Sequence, residues 1–325
     1  MLKSIATRAF AACIAFAAFS ADAQTQWPAK PVRVINPFPA GGGVDTFARP
    51  IAAKLTQALG QNFYVENMGG AGGTVGAAAA ARQPPDGYTI FMGAIHHAIA
   101  ESLYTRLSYG IEKDFDPVTV LASVPNVIVM HPKHENIRTY ADLMKYLKAN
   151  PGKLNFGSAG NGTSHHLVGE LFKMRTGTDI VHVPYKGAGP MMQDLIAGNV
   201  DMAFDGMGTS ANQIKAGKLR PLAVSSGARN FMLPDTPTLK ELGIPDFEVT
   251  TWYAMWVPKG TPKEITDRLY HEVVKILQMP DIKALWETQG ATAGGQTPAE
   301  FARFQHSEIE RWGKVVRDAN IKIDN

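Results

Sequence analysis

From Val32 to Gly93 short apolar runs alternate with longer stretches of helical spacing: VRVINPF, a helix from about Val44 to Leu59, FYVEN, a helix over TVGAAAAA, then YTIFMG. That order restricts the fold more than any other feature of the chain. Strand, helix and strand in repetition predict an α/β architecture with a mostly parallel sheet and helices on both faces.

An extended stretch, Val118 to Met130, comes next, and the same order then restarts. Thr139 is a good N-cap for the YADLMKYLK helix. LNFGSAG, a helix from Thr163 to Met174, IVHVPY, a helix from Pro190 to Ala197, VDMAFD and PLAVSS follow. VTTWYAMWVP reads as another long strand, and the remainder is helical, opened at Thr261-Pro262, Pro280 and Thr297-Pro298. Both Thr-Pro pairs predict an N-cap followed by proline at the first helical position.

A chain of 325 residues exceeds what one core usually carries, so two lobes are expected. Residues 24–123 plus 250–325 would form a discontinuous first lobe that hosts the helical tail, and residues 124–249 a second. Two extended crossings, near 118–130 and 249–258, would join them as a hinge with a cleft suited to a small ligand.

Residues 1–23 read as a secretory signal peptide. Lys3 and Arg8 precede an apolar run from Ala9 to Phe19 that ends in Ala21-Asp22-Ala23. The run is about half of the ~20 apolar residues a spanning helix needs. The single cysteine, Cys13, lies inside it, and a lipoprotein reading that modified Cys13 would strand Ile14 to Phe19 at the mature terminus. Removing the leader takes the formal charge from +3 to +2 by deleting Lys3, Arg8 and Asp22. Nothing in that balance points to nucleic acid or to an anionic membrane. The mature chain is expected to be soluble, exported and monomeric.

NPFPAGGGVDTFAR and NFGSAGNGTSHHLVGELFKM are each strand, small-residue loop and helix. In a parallel sheet such loops sit at the carboxyl ends of strands, where open α/β sheets bind ligands. Small residues let the backbone approach, and the helix N-terminal amides favour an anion. Glycine at one such turn is ordinarily tight-turn geometry. Two such turns, on facing lobes, point instead to a cleft that grips an anion from both sides.

Other anion chemistries fail on the same residues. No Gly-x-x-x-x-Gly-Lys-Ser/Thr occurs, and the dinucleotide fingerprint comes closest at Gly70 to Val75, where valine replaces the last required glycine. Gly-x-Ser-x-Gly and His-Glu-x-x-His are absent too, so no catalytic residue, metal or cofactor is assigned. His96-His97 and His165-His166 are adjacent pairs that point apart. The expectation for each is one polar contact and one solvent-facing ring, with His165 or His166 placed to line the cleft. Asp45, in a first helical turn, suits the helix dipole. Asp205, at a strand's carboxyl edge, is the stronger candidate to face the cleft, or else an N-cap. Phe38, Tyr185, Trp252, Tyr253 and Trp256 flank the loops and crossings as core or as ligand walls.

The chain resembles the substrate-binding proteins of tripartite tricarboxylate transporters, the Bug family, over WPAKPVRVINPFPAGGGVDTFAR, AARQPPDGYTIFMG, NFGSAGNGTSHHLVGELF, VPYKGAGPMMQDLIAGNVDMAFD and FARFQHSEIERWGKVVRDANIKI. The resemblance implies a two-lobed, type II-like periplasmic binding protein that captures a small organic carboxylate and delivers it to membrane subunits. The ligand would sit against Pro39, Ala40, Gly41, Gly42, Gly43 and Asp45 of one loop and Ser158, Ala159, Asn161, Gly162, Thr163 and Ser164 of the other. Phe38, His165, Tyr185 and Asp205 complete the expected site. Relatives carry Arg-Pro where this chain has Met68-Gly69, a change at the cleft's edge, and Ala94 to Ser102 also departs from the family pattern. Two rival readings are a periplasmic enzyme using Asp205 or a histidine as general base, and a ligand-loaded messenger to a sensor kinase.

Overall fold

The computed structural model describes residues 27–245, 247–318 and 321. The leader expected over residues 1–23, with Cys13, lies outside them. Chain order begins β1 (Val32–Asn36), α1 (Gly43–Leu59), β2 (Phe63–Asn67), α2 (Thr74–Ala81), β3 (Thr89–Ala94), α3 (His96–Leu103) and β4 (Phe115–Met130). It continues with α4 (Tyr140–Ala149), β5 (Asn155–Ser158), α5 (Ser164–Thr176), β6 (Val181–Pro184), α6 (Ala188–Ala197), β7 (Met202–Gly206), α7 (Met207–Lys215) and β8 (Arg220–Val224). The last part is β9 (Thr250–Pro258), α8 (Lys263–Gln278), α9 (Pro280–Thr288), β10 (Thr292–Ala293) and α10 (Pro298–Asp318).

The strands hydrogen-bond in the order β2-β1-β3-β9-β4-β7-β5-β6, with β8 and β10 also on β4. Strands joined by helices pair in parallel, β1 with β2 and β3, and β5 with β6 and β7. The pairs made by β4 and β9 are antiparallel. β4 is the crossing that builds both lobes: Phe115 to Pro125 pair with β9, whereas Asn126 to Met130 pair with β7 and β8. At the change of partner, the Ser225 hydroxyl accepts the Asn126 amide (2.9 Å) and is within 2.5 Å of the Val249 carbonyl. The Val249 amide bonds back to the Ser225 carbonyl at 3.0 Å. The second crossing is therefore brief, because β9 itself runs wholly beside β3 and the first half of β4.

Side chains alternate across this sheet. Ile35 and Phe91 pack on one face, while Val32, Val34, Ile90 and Met92 pack on the other. Each face carries a continuous core through both lobes, so the cores divide by sheet face. The last helix, α10, packs against α3 and β4. On α10, Glu308 Oε2 accepts the Trp252 and Trp312 indole N–H groups at 3.0 and 3.3 Å, and Gln305 accepts that of Trp256 at 2.7 Å.

Two sequence expectations change. Thr297 caps α10 as expected, exchanging hydrogen bonds with Glu300. Thr261 does not cap α8: its hydroxyl donates to the Pro258 carbonyl, and Pro262 occupies the cap. Ala94 to Ser102, left without an element in the sequence reading, ends β3 and forms most of α3.

Candidate functional site

The turn between β1 and α1 is held from behind by Asp45. One carboxylate oxygen accepts the Gly41 amide (3.0 Å) and Arg49 Nε (2.8 Å), and the other accepts the amides of Asn36 and Asn67, each at 3.2 Å. Burial alone would raise this carboxyl, but the Arg49, Gly41 and Asn67 hydrogen bonds outweigh it and hold its pKa below the usual value. Asp45 thus spends its oxygens on the turn.

The turn between β5 and α5 is braced in the same way. Ser158 Oγ lies 2.6 Å from His182 Nε2 and accepts the Gly160 amide at 3.1 Å. Thr163 Oγ1 donates to the Gly160 carbonyl (2.7 Å), and the Gly162 amide donates to His166 Nδ1 (3.2 Å). Ser158 and Gly162 therefore shape the loop and do not line the cleft.

Between the two turns lies a cavity of about 30 Å³. One lobe lines it with Phe38, Gly42, Gly43, Val44, Ala94 and His96, joined by Thr251 and Tyr253 of β9. The other contributes Ala159, Thr163, Ser164, His165 and Ala188. These residues open α1, α3, α5 and α6, so four helix N-termini converge on one small space. The first-turn amides of a helix have no intrahelical acceptor and carry the positive end of its dipole. Gly43 is required there by close approach, since an added Cβ would collide with the Tyr253 hydroxyl.

Asp205 stands one layer back, fully buried, with one oxygen 2.5 Å from Thr209 Oγ1 and the other 3.4 Å from His165 Nδ1. It backs His165 and, being fully buried, is absent from the cavity lining, where the sequence placed it facing the cleft. Burial raises the Asp205 carboxyl and lowers His165, each opposed by the other's charge. His96 Nε2 is buried without a hydrogen-bond partner, and burial together with the nearby His165 lowers its pKa to about 3. Both rings are therefore neutral at physiological pH.

The solvent-facing expectation fails for both histidine pairs. His97 is fully buried with Nδ1 2.7 Å from Tyr109 Oη, and His166 is buried and stacked on His182 at 4.2 Å. Burial in both cases comes from the helices that carry them: α3 and α5 pack their first turns inward.

A second chamber of about 520 Å³ shares Phe38 and Ala159 with the first. Asn161 and Tyr185 line it, as do the glycine-rich turn from Gly70 to Thr74, Tyr104, Arg106 and Lys186. Pro39, Ala40 and Gly41 line neither space. Pro39 fills the gap between Gly69 and Gly187, where an added Cβ on either glycine would fall 3.0 Å from its ring, and Ala40 and Gly41 pack on Gly189. Glycine at 69, the position that departs from the family pattern, thus gives Pro39 its room. His96, Thr251, Tyr104 and Arg106 are among the lining residues missing from the sequence expectation. The departure of Ala94 to Ser102 from the family pattern was the available signal for His96.

Fold and site together define a two-lobed solute-binding protein. The chain belongs to the tripartite tricarboxylate transporter family receptors, whose family model matches residues 47–321. It is 37% identical to the protein BugT of Bordetella pertussis over 299 residues, 91% of each chain. The structure of the periplasmic binding protein BugD superposes with a TM-score of 0.87 at 33% identity, covering 91% of this chain and 99% of that one. A Rhodopseudomonas palustris protein, Rpa4515, solved with adipate, gives 0.88 at 37% identity, with 91% and 99% covered. MatC from the same organism, with bound malate, gives 0.84 at 32% identity, with 89% and 100% covered.

Proposed function

We propose that this protein is a periplasmic receptor that captures a small organic carboxylate between its lobes and delivers it to the membrane subunits of a tripartite tricarboxylate transporter. The observation that carries the reading is the convergence of four helix N-termini, from both lobes, on the inner cavity. A carboxylate there would accept amides of Gly42, Gly43 and Val44 from α1 and of Ser164 and His165 from α5. Phe38, Ala159 and Thr163 would wall it, with Asn161 and Tyr185 further out. Relatives solved with adipate and malate support an acid as the ligand, and membership in a receptor family supports binding without turnover.

The sequence of events is docking on one loop, then closure about Asn126, Ser225 and Val249 to bring the other loop's amides onto the ligand. The lobes are proposed as residues 24–123 plus 250–325 and residues 124–249. One carboxylate held by two or three amides gives roughly millimolar affinity, about 4 kcal/mol. Micromolar binding needs about twice that, which a second anchor and closure supply.

A thermal-shift screen over organic acids, neutral sugars and amines tests the reading. Acids are expected to raise the melting temperature, and sugars and amines to leave it unchanged. Stabilisation by sugars alone, or by nothing, would defeat the proposal. Export is checked by sequencing the N-terminus of protein recovered from the periplasm, which should begin at Gln24.

A further inference from the structure

Helix N-termini suit the inner cavity to an anion, yet no lysine or arginine is among the described residues that line it. The lining side chains able to become cationic are His96 and His165. His165 belongs to two environments, since it lines the cavity and carries Asp205 against its Nδ1 at 3.4 Å. Both His165 Nδ1 and Asp205 Oδ1 are buried, and neither has a hydrogen-bond partner among the described residues. The other Asp205 oxygen is satisfied by Thr209 Oγ1 at 2.5 Å. Further titratable groups act on this pair: His96 of α3 on His165, and Tyr253 of β9 on Asp205. His166, the next residue on α5, stacks instead on His182 of β6. Arg106 and Lys186 line the outer chamber. A carboxylate seated on the helix amides therefore brings a second negative charge to a place that already buries Asp205. Helix ends supply partial charges only, and carboxylates that share a buried site take up a proton or gain a cation.

Building on the carboxylate reading above, we infer that the protein captures a proton together with the anion and holds it on His165, shared by Asp205 and the ligand's carboxylate. The proton comes from solvent and adds to the free nitrogen of the neutral imidazole, which then has two N–H groups. Nδ1–H donates to Asp205 Oδ1 and Nε2–H to the ligand, so the two unpartnered atoms satisfy each other. Burial alone keeps the ring neutral, with Asp205 opposing it. A second carboxylate tips that balance, because an opposite charge close by favours the cation. The His165 pKa rises on binding, so the added affinity is complete below the unliganded value and is lost as pH rises through the liganded one.

Calorimetric titration of the mature protein with adipate, in phosphate and in Tris at about pH 7, reads the proton directly. The two buffers differ in ionisation enthalpy, and carboxylic acids are already ionised at that pH. Malate serves as the probe in the same titrations should adipate not bind. Uptake of about one proton per acid bound is expected, with affinity weakening by up to about tenfold per unit as pH is raised further. His165→Gln keeps a hydrogen-bonding side chain that takes no proton, so both the uptake and the pH dependence should vanish. The buffer comparison on the unaltered protein decides the matter even where that variant fails to fold. Acid binding without proton uptake, or uptake that persists in His165→Gln, would overturn the inference while leaving the carboxylate reading intact. If neither acid binds, the carboxylate reading itself falls, and the inference with it.

Discussion

At the scale of single residues, the site sets function against stability. His96 Nε2 is buried without a partner, and a buried unsatisfied polar group costs about 1–3 kcal/mol. His96→Leu removes that group at a similar volume, so the melting temperature should hold or rise while affinity for the acid falls at least severalfold. A variant that lost stability and kept affinity would show the ring to be ordinary packing. Gly43→Val forces a side chain into Tyr253 and should abolish acid binding, measured by calorimetry, with the far-UV spectrum preserved. The glycines were legible because a small residue between strand and helix has a local meaning. His96 and Thr251 were not, because their roles depend on which surface the other lobe brings to them.

Elements were legible wherever local chemistry decides them. The capping box at Thr139, in which Thr139 and Asp142 bond each other's backbone amides, fixes the start of α4. Pro280 opens α9 as its first residue. Thr261-Pro262 misleads because Thr261 is nearly buried and its hydroxyl finds the Pro258 carbonyl instead. α10 depends on tertiary partners that no local pattern reveals: Glu308, itself buried, holds two buried indoles and is 3.1 Å from Arg311. Glu308→Ala should cost about 1–3 kcal/mol for each indole N–H left without an acceptor. Urea unfolding monitored by tryptophan fluorescence would check it, and an unchanged midpoint would refute the role given to Glu308.

For the whole molecule, the two lobes and the long crossing followed from element order, since alternating strands and helices leave few topologies. The division of the core by sheet face did not, because β4 joins both halves into one sheet only in three dimensions. Hydrogen bonds cross between the lobes as well as the shared core. Tyr104 Oη donates to the carbonyls of Ala71 (3.0 Å) and Asn161 (3.3 Å), and Thr46 Oγ1 to that of Gly208 (3.3 Å). Tyr104→Phe should therefore loosen closure and speed ligand release in stopped-flow, leaving the fold intact.

Acid should destabilise the fold. His96, with a pKa lowered to about 3, is joined by His97, His165, His166 and His182, which are also lowered chiefly by burial. In the unfolded chain each takes up a proton near 6.5, so their contribution to stability is complete above that pH and is lost as pH falls towards the folded-state values. Asp205, raised by burial, acts in the opposite sense. The melting temperature should begin to fall just below pH 6.5, above the range where carboxylates titrate, and a flat profile there would contradict the burial of these rings.

The central claim is that one carboxylate is held by helix N-termini of both lobes. A crystal structure with the acid that most raises the melting temperature tests it directly. The account predicts carboxylate oxygens at about 3 Å from the α1 amides of Gly42 to Val44 and from the α5 amides of Ser164 and His165. A ligand that leaves either turn untouched, or no acid that binds at all, would contradict it.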